Sequence, residues 1–285
     1  MTELELIRWI RRQPGVAGVG NDCAVLPGTR PGESLVLKTD QFIEGTHFLR
    51  DTWPARTTGA AALARVLSDL AAAGAEPRHC LLSLALPRDT PAAWTRAFFQ
   101  GFLGVARAHR VPLNGGDLSH APIIYADVAI AGSVPAGKAL TRSGAKPGDG
   151  IYVSGSLGGA AVALREGKPF LPVPRLALGR YLRGRATACM DLSDGLSIDL
   201  YRLCIESGVS AVLDRPLPSA PRATLDDVLH GGEDYELLFT SRRAPARHAG
   251  VEITRIGAVC TPRRKAGEVT FFGQPLRPMG YDHFR

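Results

Sequence analysis

Strand and helix signals alternate along the first half of this chain, and after a break at Pro135 to Gly137 the alternation starts again. Leu4 to Arg12 reads as a short amphipathic helix, and Ser34 to Leu37 as a strand whose end delivers Thr39-Asp40. In the helical tract from Pro54 to Ala75, Leu63, Val66, Leu67 and Leu70 keep the i, i+3, i+4, i+7 spacing of one face. Leu81 to Leu86 is a strand, Pro91 to His109 a helix entered at proline, and Pro112-Leu113 leads into a turn at Gly115-Gly116-Asp117. Ile124, Ala126, Val128 and Ile130 alternate as a strand with one buried face. Strands interleaved this closely with helices restrict the chain to α/β layers, because each helix has to cover a sheet face.

Beyond the break come a strand at Ile151 to Ser154, a Gly-rich turn and a helix through Leu164. A Pro-rich loop over Pro169 to Pro174, a strand at Ala188 to Met190 and a helix over Leu196 to Ser207 follow. Val209 to Leu213, Tyr235 to Thr240, Val251 to Val259 and Val269 to Phe272 make the rest strand-rich. The expectation is two α/β domains, residues 1–137 and 138–285, and 285 residues supply ample core for both.

With 45% hydrophobic and 21% charged residues, a disordered chain is excluded. No apolar run approaches the roughly 18 to 20 residues of a membrane helix, and MTELELIRWIRR lacks a secretory pattern, which predicts a cytoplasmic protein. The net charge of +7 and pI near 9.4 fall where nucleic-acid binders are found. The basic residues are scattered, however, with Arg263-Arg264-Lys265 the longest cluster, and aromatics do not interleave with them. No nucleic-acid partner is expected, and a basic RNA-binding or scaffold protein stands as the alternative from another class. The five cysteines have no C-x-x-C spacing and read as reduced thiols.

The informative residues are aspartates set among small or apolar neighbours. Asp22 stands in GNDCAV, Asp40 in KTDQF, Asp69 in SDLAAAGA, Asp117 in NGGDL, and Asp191 and Asp194 in MDLSDGL. A solubilising aspartate usually has a basic residue three or four positions away. Singly, Asp194 fits a helix start beside a Ser193 cap and Asp117 fits a turn. Together, in a chain of positive net charge, they suggest convergence on divalent cations, and carboxylates without a Cys or His cluster suit Mg²⁺ or Mn²⁺. Such a cage normally holds phosphates. No G-x-x-x-x-G-K-[ST] is present, and Ser154 to Gly159 lacks both the P-loop lysine and the dinucleotide spacing, so tight strand–helix packing is its expected use.

GNDCAV, KTDQFIEGTHF, VLSDLAAAGA, NGGDL, TRSGAKPGD, MDLSDGL and HGGEDYELLF occur in the order and at about the spacing of the thiamine-monophosphate kinase family. That family belongs to the superfamily of aminoimidazole ribonucleotide synthetase, and the resemblance runs from about Gly20 to the terminal GYDHF. It implies a two-domain PurM-like α/β (α+β) architecture, with a mixed sheet in an N-terminal ATP-binding, metal-binding and dimerisation domain. It also implies a homodimer that phosphorylates thiamine monophosphate to thiamine diphosphate with ATP. By position, Asp22, Thr39, Asp40, Asp69, Asp117, Asp191 and Asp194 would hold metal, and Gly116, Asp117, Arg142 and Ser193 would contact ATP. His47, Glu233 and Phe284 would contact thiamine monophosphate, while Asp22, Asp69, Asp117, Arg142 and Asp194 form the implied catalytic set. The chain departs from the family at Asn21, where an acid is usual, at Lys38, often a small hydroxyl residue, and at Leu118, usually threonine.

The chemistry is coherent without the resemblance. A phosphate monoester, with a second pKa of about 6, is mostly dianionic near neutral pH, so its oxygen needs charge neutralisation and alignment rather than a general base. The terminal GYDHFR has no cysteine, unlike the hydrogenase-maturation relative, and no lysine precedes Lys38 to serve a selenophosphate synthetase's reactive cysteine. An aminoimidazole ribonucleotide synthetase-like enzyme is the remaining alternative.

Overall fold

The computed structural model describes residues 3–16 and 19–283. The first half contains α1 (Glu3–Ile10), β1 (Ala24–Pro27), β2 (Glu33–Ile43), α2 (Ala55–Ala72), β3 (Glu76–Leu86), α3 (Ala92–Ala108), β4 (Leu113–His120) and β5 (Tyr125–Pro135). Its strands form one mixed sheet in the order β1-β2-β5-β3-β4, antiparallel except for the β3–β4 pair, whose crossover is α3. The second half contains β6 (Gly150–Ser154), α4 (Gly159–Arg165), α5 (Leu176–Leu182), β7 (Ala188–Asp191), α6 (Leu196–Ser207), β8 (Ser210–Leu213) and α7 (Leu225–His230). It ends with β9 (Leu237–Ser241), β10 (Arg247–His248), β11 (Val251–Cys260), β12 (Val269–Phe271) and β13 (Gln274–Pro275). These strands build a second sheet in the order β13-β12-β8-β11-β6-β9-β7, with β10 on β11. The α/β class is therefore as the sequence predicts. No helix among the described residues is long and apolar enough to cross a membrane.

Helix α2 joins the two halves. The sequence shows one apolar face, yet every residue except Arg56 and Thr57 is buried. A helix buried all round needs partners on every side, and α2 has the first sheet beneath it and α3, α5 and β7 against its other faces. Leu63, Val66, Leu67 and Leu70 share one core cluster with Leu176, Leu182 and Phe239 from the second half. The contact with α5 requires glycine, since a Cβ at Gly179 would lie 2.0 Å from the Ala71 carbonyl oxygen.

Two sequence expectations need correction. Gly115-Gly116-Asp117 is no turn but part of β4: a Cβ at Gly116 would lie 1.8 Å from the Leu82 carbonyl oxygen, so glycine serves close strand approach. Thr39-Asp40 lies inside β2, paired with Ala129 and Val128, and not at its end.

Candidate active site

Along β2, Lys38 and Asp40 stand between Val36 and Phe42 on the face that packs against the core. Helix α2 places Arg65 and Asp69 one turn apart above that face, β7 ends at Asp191, and Asp22 precedes β1. One ligand oxygen each from Asp22, Asp69 and Asp191 lies within 4.8 Å of the others, and all three residues are buried. Burial, with Asp22 alongside, pushes the Asp191 carboxyl up to about 6. Burial raises Asp69 well above the usual carboxylate range, although Lys38 pulls against it. Two cations hold the cluster: Lys38 Nζ lies 2.7 Å from Asp69 Oδ1, and Arg142 donates from Nε to Asp22 Oδ1 at 2.9 Å and from its Nη2 as well. Burial works against the Lys38 ammonium, but Asp69 and Asp40 outweigh it and the pKa is raised. Asn21 Oδ1 accepts the Arg142 main-chain N–H at 3.1 Å.

Asp191 Oδ2 is buried with no hydrogen-bond partner. An orphaned carboxylate oxygen beside two further carboxylates is costly unless a ligand completes it. Cys23 is no competing donor, because burial raises its pKa well above normal and its thiol donates to the Asp69 carbonyl at 3.4 Å. The hard oxygen set therefore fits Mg²⁺ or Mn²⁺.

A cavity of about 660 Å³ opens over this cluster, and Asp40, His47, Ser193, Asp194 and Glu233 line it with Lys38 and Arg142. Beside it lies a second cavity of about 460 Å³, walled by Phe48, Leu49, Trp53, Leu164 and Phe170. His47, Ser193, Glu233 and Tyr281 line both. The His47 ring accepts the Ile43 N–H at Nδ1 (3.0 Å), and burial together with Arg65 lowers its pKa to about 4. A neutral ring with Nδ1 accepting carries its proton on Nε2 and can donate from there.

The two loops beside the cavity are zipped together: Glu233 N–H donates to the Ser193 carbonyl at 2.7 Å and Tyr235 N–H to Leu192 at 2.9 Å. Glu233 and Tyr235 take φ of 70° and 52°, a conformation costly for side-chain-bearing residues and typical of functional segments. Fully buried Asp199 accepts N–H groups from Asp194 (3.0 Å) and Gly195 (3.2 Å) and pairs with Arg202 at 2.9 Å. Burial and neighbouring Asp194 push its carboxyl to about 7.

Of the metal ligands implied by resemblance, Asp22, Asp69 and Asp191 converge. Asp40 faces the same cavity but sits 3.7 Å from Arg65 Nε. Asp194 is held by Arg202. Thr39 bonds Asp127 with its hydroxyl. Gly116 and Asp117 are exposed on the outer strand β4 and line neither cavity, because the parallel pairing of β4 with β3 carries them to the sheet edge. Arg142 grips Asp22 where the resemblance implies a contact with ATP. Ser193, His47 and Glu233 stand together at the junction of the cavities, and Phe284 lies outside the described residues. Sequence reasoning missed Arg65, whose guanidinium is buried against Glu233, and Asp199. The signal for Arg65 is the one that exposed Asp69, a charge inside the apolar run AAALARVLSDLAA. The Gly-rich turn is not a phosphate cradle: Asp234 accepts its Gly158 and Ala160 N–H groups at 2.6 and 3.0 Å.

Residues 20–134 match the family model of AIR synthase related protein, N-terminal domain. The thiamine-monophosphate kinase of Salmonella typhimurium is 37% identical over 305 residues, covering 94% of this chain and 91% of that protein. Among solved structures, AaThiL complexed with AMPPCP and TMP aligns with a TM-score of 0.88 at 29% identity, over 99% of this chain and 97% of that one. Thiamine-monophosphate kinase from Stenotrophomonas maltophilia K279a aligns with a TM-score of 0.77 at 35% identity, over 95% and 96%. With likeness at this level over nearly the whole chain, the chain belongs to the thiamine-monophosphate kinase family.

Proposed function

We propose that the protein transfers the γ-phosphoryl group of ATP to the phosphate of thiamine monophosphate, in one in-line step assisted by Mg²⁺. The observation that carries this reading is the junction of a charged cavity with an apolar, aromatic-walled one along His47, Ser193, Glu233 and Tyr281. A substrate with a flat cationic ring system at one end and a phosphate at the other matches that division. The ring system would lie against Trp53 and Phe170, near the Glu233 carboxylate, which keeps 41% of its side chain exposed. The phosphate would then project past His47, whose Nε2–H can donate to it, into the charged cavity. Ser193 and Asp194 are fixed there by hydrogen bonds, the Ser193 carbonyl accepting the Glu233 N–H and the Asp194 N–H donating to Asp199, so the loop is held before substrate arrives. Asp22, Asp69 and Asp191 would hold the divalent cation, which when bound neutralises phosphate charge. Arg142, with its planar fork, is placed to exchange Asp22 for a phosphate oxygen.

Incubation of the purified protein with thiamine monophosphate and MgATP is expected to yield thiamine diphosphate. Leu164→Arg, at the exposed wall of the apolar cavity, is expected to raise KM for thiamine monophosphate and leave KM for ATP unchanged. Absence of product, or an equal effect on both substrates, would refute the assignment.

We also propose a homodimer, formed through the outer face of the first sheet, where Leu26 on β1, Leu37 on β2 and Leu81 on β3 are exposed. In such a dimer Gly116 and Asp117, exposed on the edge strand β4, would lie near the subunit boundary and could serve a nucleotide from there. We divide the two units after Gly137, between the end of β5 at Pro135 and the start of β6 at Gly150. A cytoplasmic location is supported by cysteines that are all free and, apart from half-buried Cys260, buried.

A further inference from the structure

We infer that Lys38 is a resident cation of the carboxylate site, its ammonium occupying at Asp69 the position of one divalent ion, so that the chain binds one metal ion fewer than the same site without the lysine. The inference rests on the reading that Asp22, Asp69 and Asp191 hold divalent cations.

Lys38 stands where a lysine has little reason to be. Its β2 position pairs with Ile130, whose β3 partner is Cys80, and both are almost wholly buried. A lysine on an apolar sheet face ordinarily runs its stem to the nearest water. This one turns into the cluster and sets Nζ 2.7 Å from Asp69 Oδ1, an oxygen of the only described group of three acids with metal-ligand spacing. Asp40, the other acid on this face of β2, is already engaged by Arg65.

Charge leads to the same assignment. Three carboxylates carry −3 when ionised, and Lys38 with Arg142 returns +2. One divalent ion then more than offsets the single negative charge that remains, and a second would have to approach an ammonium already in contact with its ligand oxygen. The oxygen left without a partner is Asp191 Oδ2, which places the remaining ion on the Asp191 side of the cluster. Lys38 also lines the charged cavity, so its positive charge meets a bound phosphate whatever the Mg²⁺ concentration.

The test is a Mn²⁺ titration of the full chain, read from the electron paramagnetic resonance of free Mn²⁺, with wild type, Lys38→Ser, Lys38→Met and Asp69→Asn. Lys38→Ser is expected to bind one more Mn²⁺ per chain than wild type. Lys38→Met, which keeps the bulk and removes the charge, is expected to tighten Mn²⁺ binding by about tenfold or more, the scale of a unit charge withdrawn from a few ångströms away, and it keeps the test alive if the serine variant does not fold. Unchanged stoichiometry in Lys38→Ser with unchanged affinity in Lys38→Met, while Asp69→Asn weakens binding, overturns the assignment of Lys38 and leaves the carboxylate site standing. No Mn²⁺ binding by any of the proteins overturns both.

Discussion

The Arg65 guanidinium lies 2.5 Å from both carboxylate oxygens of Glu233, so a helix of the first sheet's layer and a loop of the second are joined across the mouth of the site. The same guanidinium sits 5.1 Å from the ring centroids of Phe42 and Tyr235. Arg65 thereby fixes a loop residue of left-handed backbone conformation at the junction of the two cavities.

Arg65→Ala is expected to cost roughly 2 to 3 kcal/mol in denaturant unfolding. Breaking a fully buried pair costs about 3 to 5 kcal/mol, and the lower figure reflects the 41% of the Glu233 side chain that stays in water. KM for thiamine monophosphate is expected to rise more than KM for ATP. An unfolding curve superimposable on wild type would show that the pair does not brace the two halves.

The convergent carboxylates are expected to matter far more to turnover than to folding. Asp69→Asn and Asp191→Asn remove charge from groups already destabilised by burial, so the variants are expected to fold, with turnover lowered on the order of 10²- to 10³-fold. Asp127→Ala, whose carboxylate only accepts the Thr39 hydroxyl on the outer sheet face, is the comparison and is expected to stay within a few fold of wild type. Near wild-type rates at Asp69 and Asp191 would remove the basis for a metal site there.

How much of this was legible beforehand differs from element to element. In the first half β3, α3 and β5 follow from periodicity, because each buries one face, whereas β1 and β4 bury too little to leave a pattern. Asp22, Asp69 and Asp191 were visible because a carboxylate among small apolar residues has no local reason to exist. Arg65 carried that same signal and was overlooked, and Asp199 was masked by its i, i+3 pairing with Arg202, which reads as an ordinary helix surface. Helix α7 was not read from the sequence, although Thr224 and Asp227 form a reciprocal capping box at its start, and α5, also unread, is short and interrupted by Gly179, whose reason lies in Ala71 more than a hundred residues away. The exposure of Asp117 depends on sheet order, which no local pattern encodes.

His47 is expected to remain neutral at pH values where an exposed histidine is charged. The unfolded chain takes up its proton near 6.5 and the folded protein near 4. Between those values the unfolded state binds more protons, so this group makes stability rise with pH from about 4 to about 6.5 and contributes its full share above that. His47→Gln is expected to flatten that part of the stability profile. An imidazole resonance titrating near 6.5 in the folded protein would contradict the placement of this ring against Arg65.

A dimer through the first sheet is expected to depend on Leu81, exposed on the outer face of β3. Leu81→Asp is expected to shift sedimentation toward the 30.3 kDa monomer and to lower activity if the subunit boundary completes the nucleotide site. Wild type sedimenting as a stable monomer at micromolar concentration would exclude the dimer.

Phosphoryl transfer is expected to be direct, because the described residues around the charged cavity include none prepared as a nucleophile. Cys23 is buried beneath Asp69 and its thiol is held protonated by burial and by the carboxylates around it. His47 has Nδ1 committed to the Ile43 N–H, and its Nε2, carrying the proton of the neutral ring, has no lone pair with which to attack. Asp22 and Asp69 are engaged by Arg142 and Lys38. The acceptor needs no such help, since a phosphate dianion is itself competent to attack once its charge is offset. Enzyme, MgATP and thiamine monophosphate therefore have to be present together, and initial-rate plots are expected to intersect, whereas parallel lines mark a covalent intermediate. A chiral γ-phosphate is expected to arrive inverted, as a single in-line displacement requires. Retention of configuration, or a phosphorylated enzyme that passes its group to thiamine monophosphate at a rate matching turnover, would replace this mechanism with a two-step one even with the overall reaction intact.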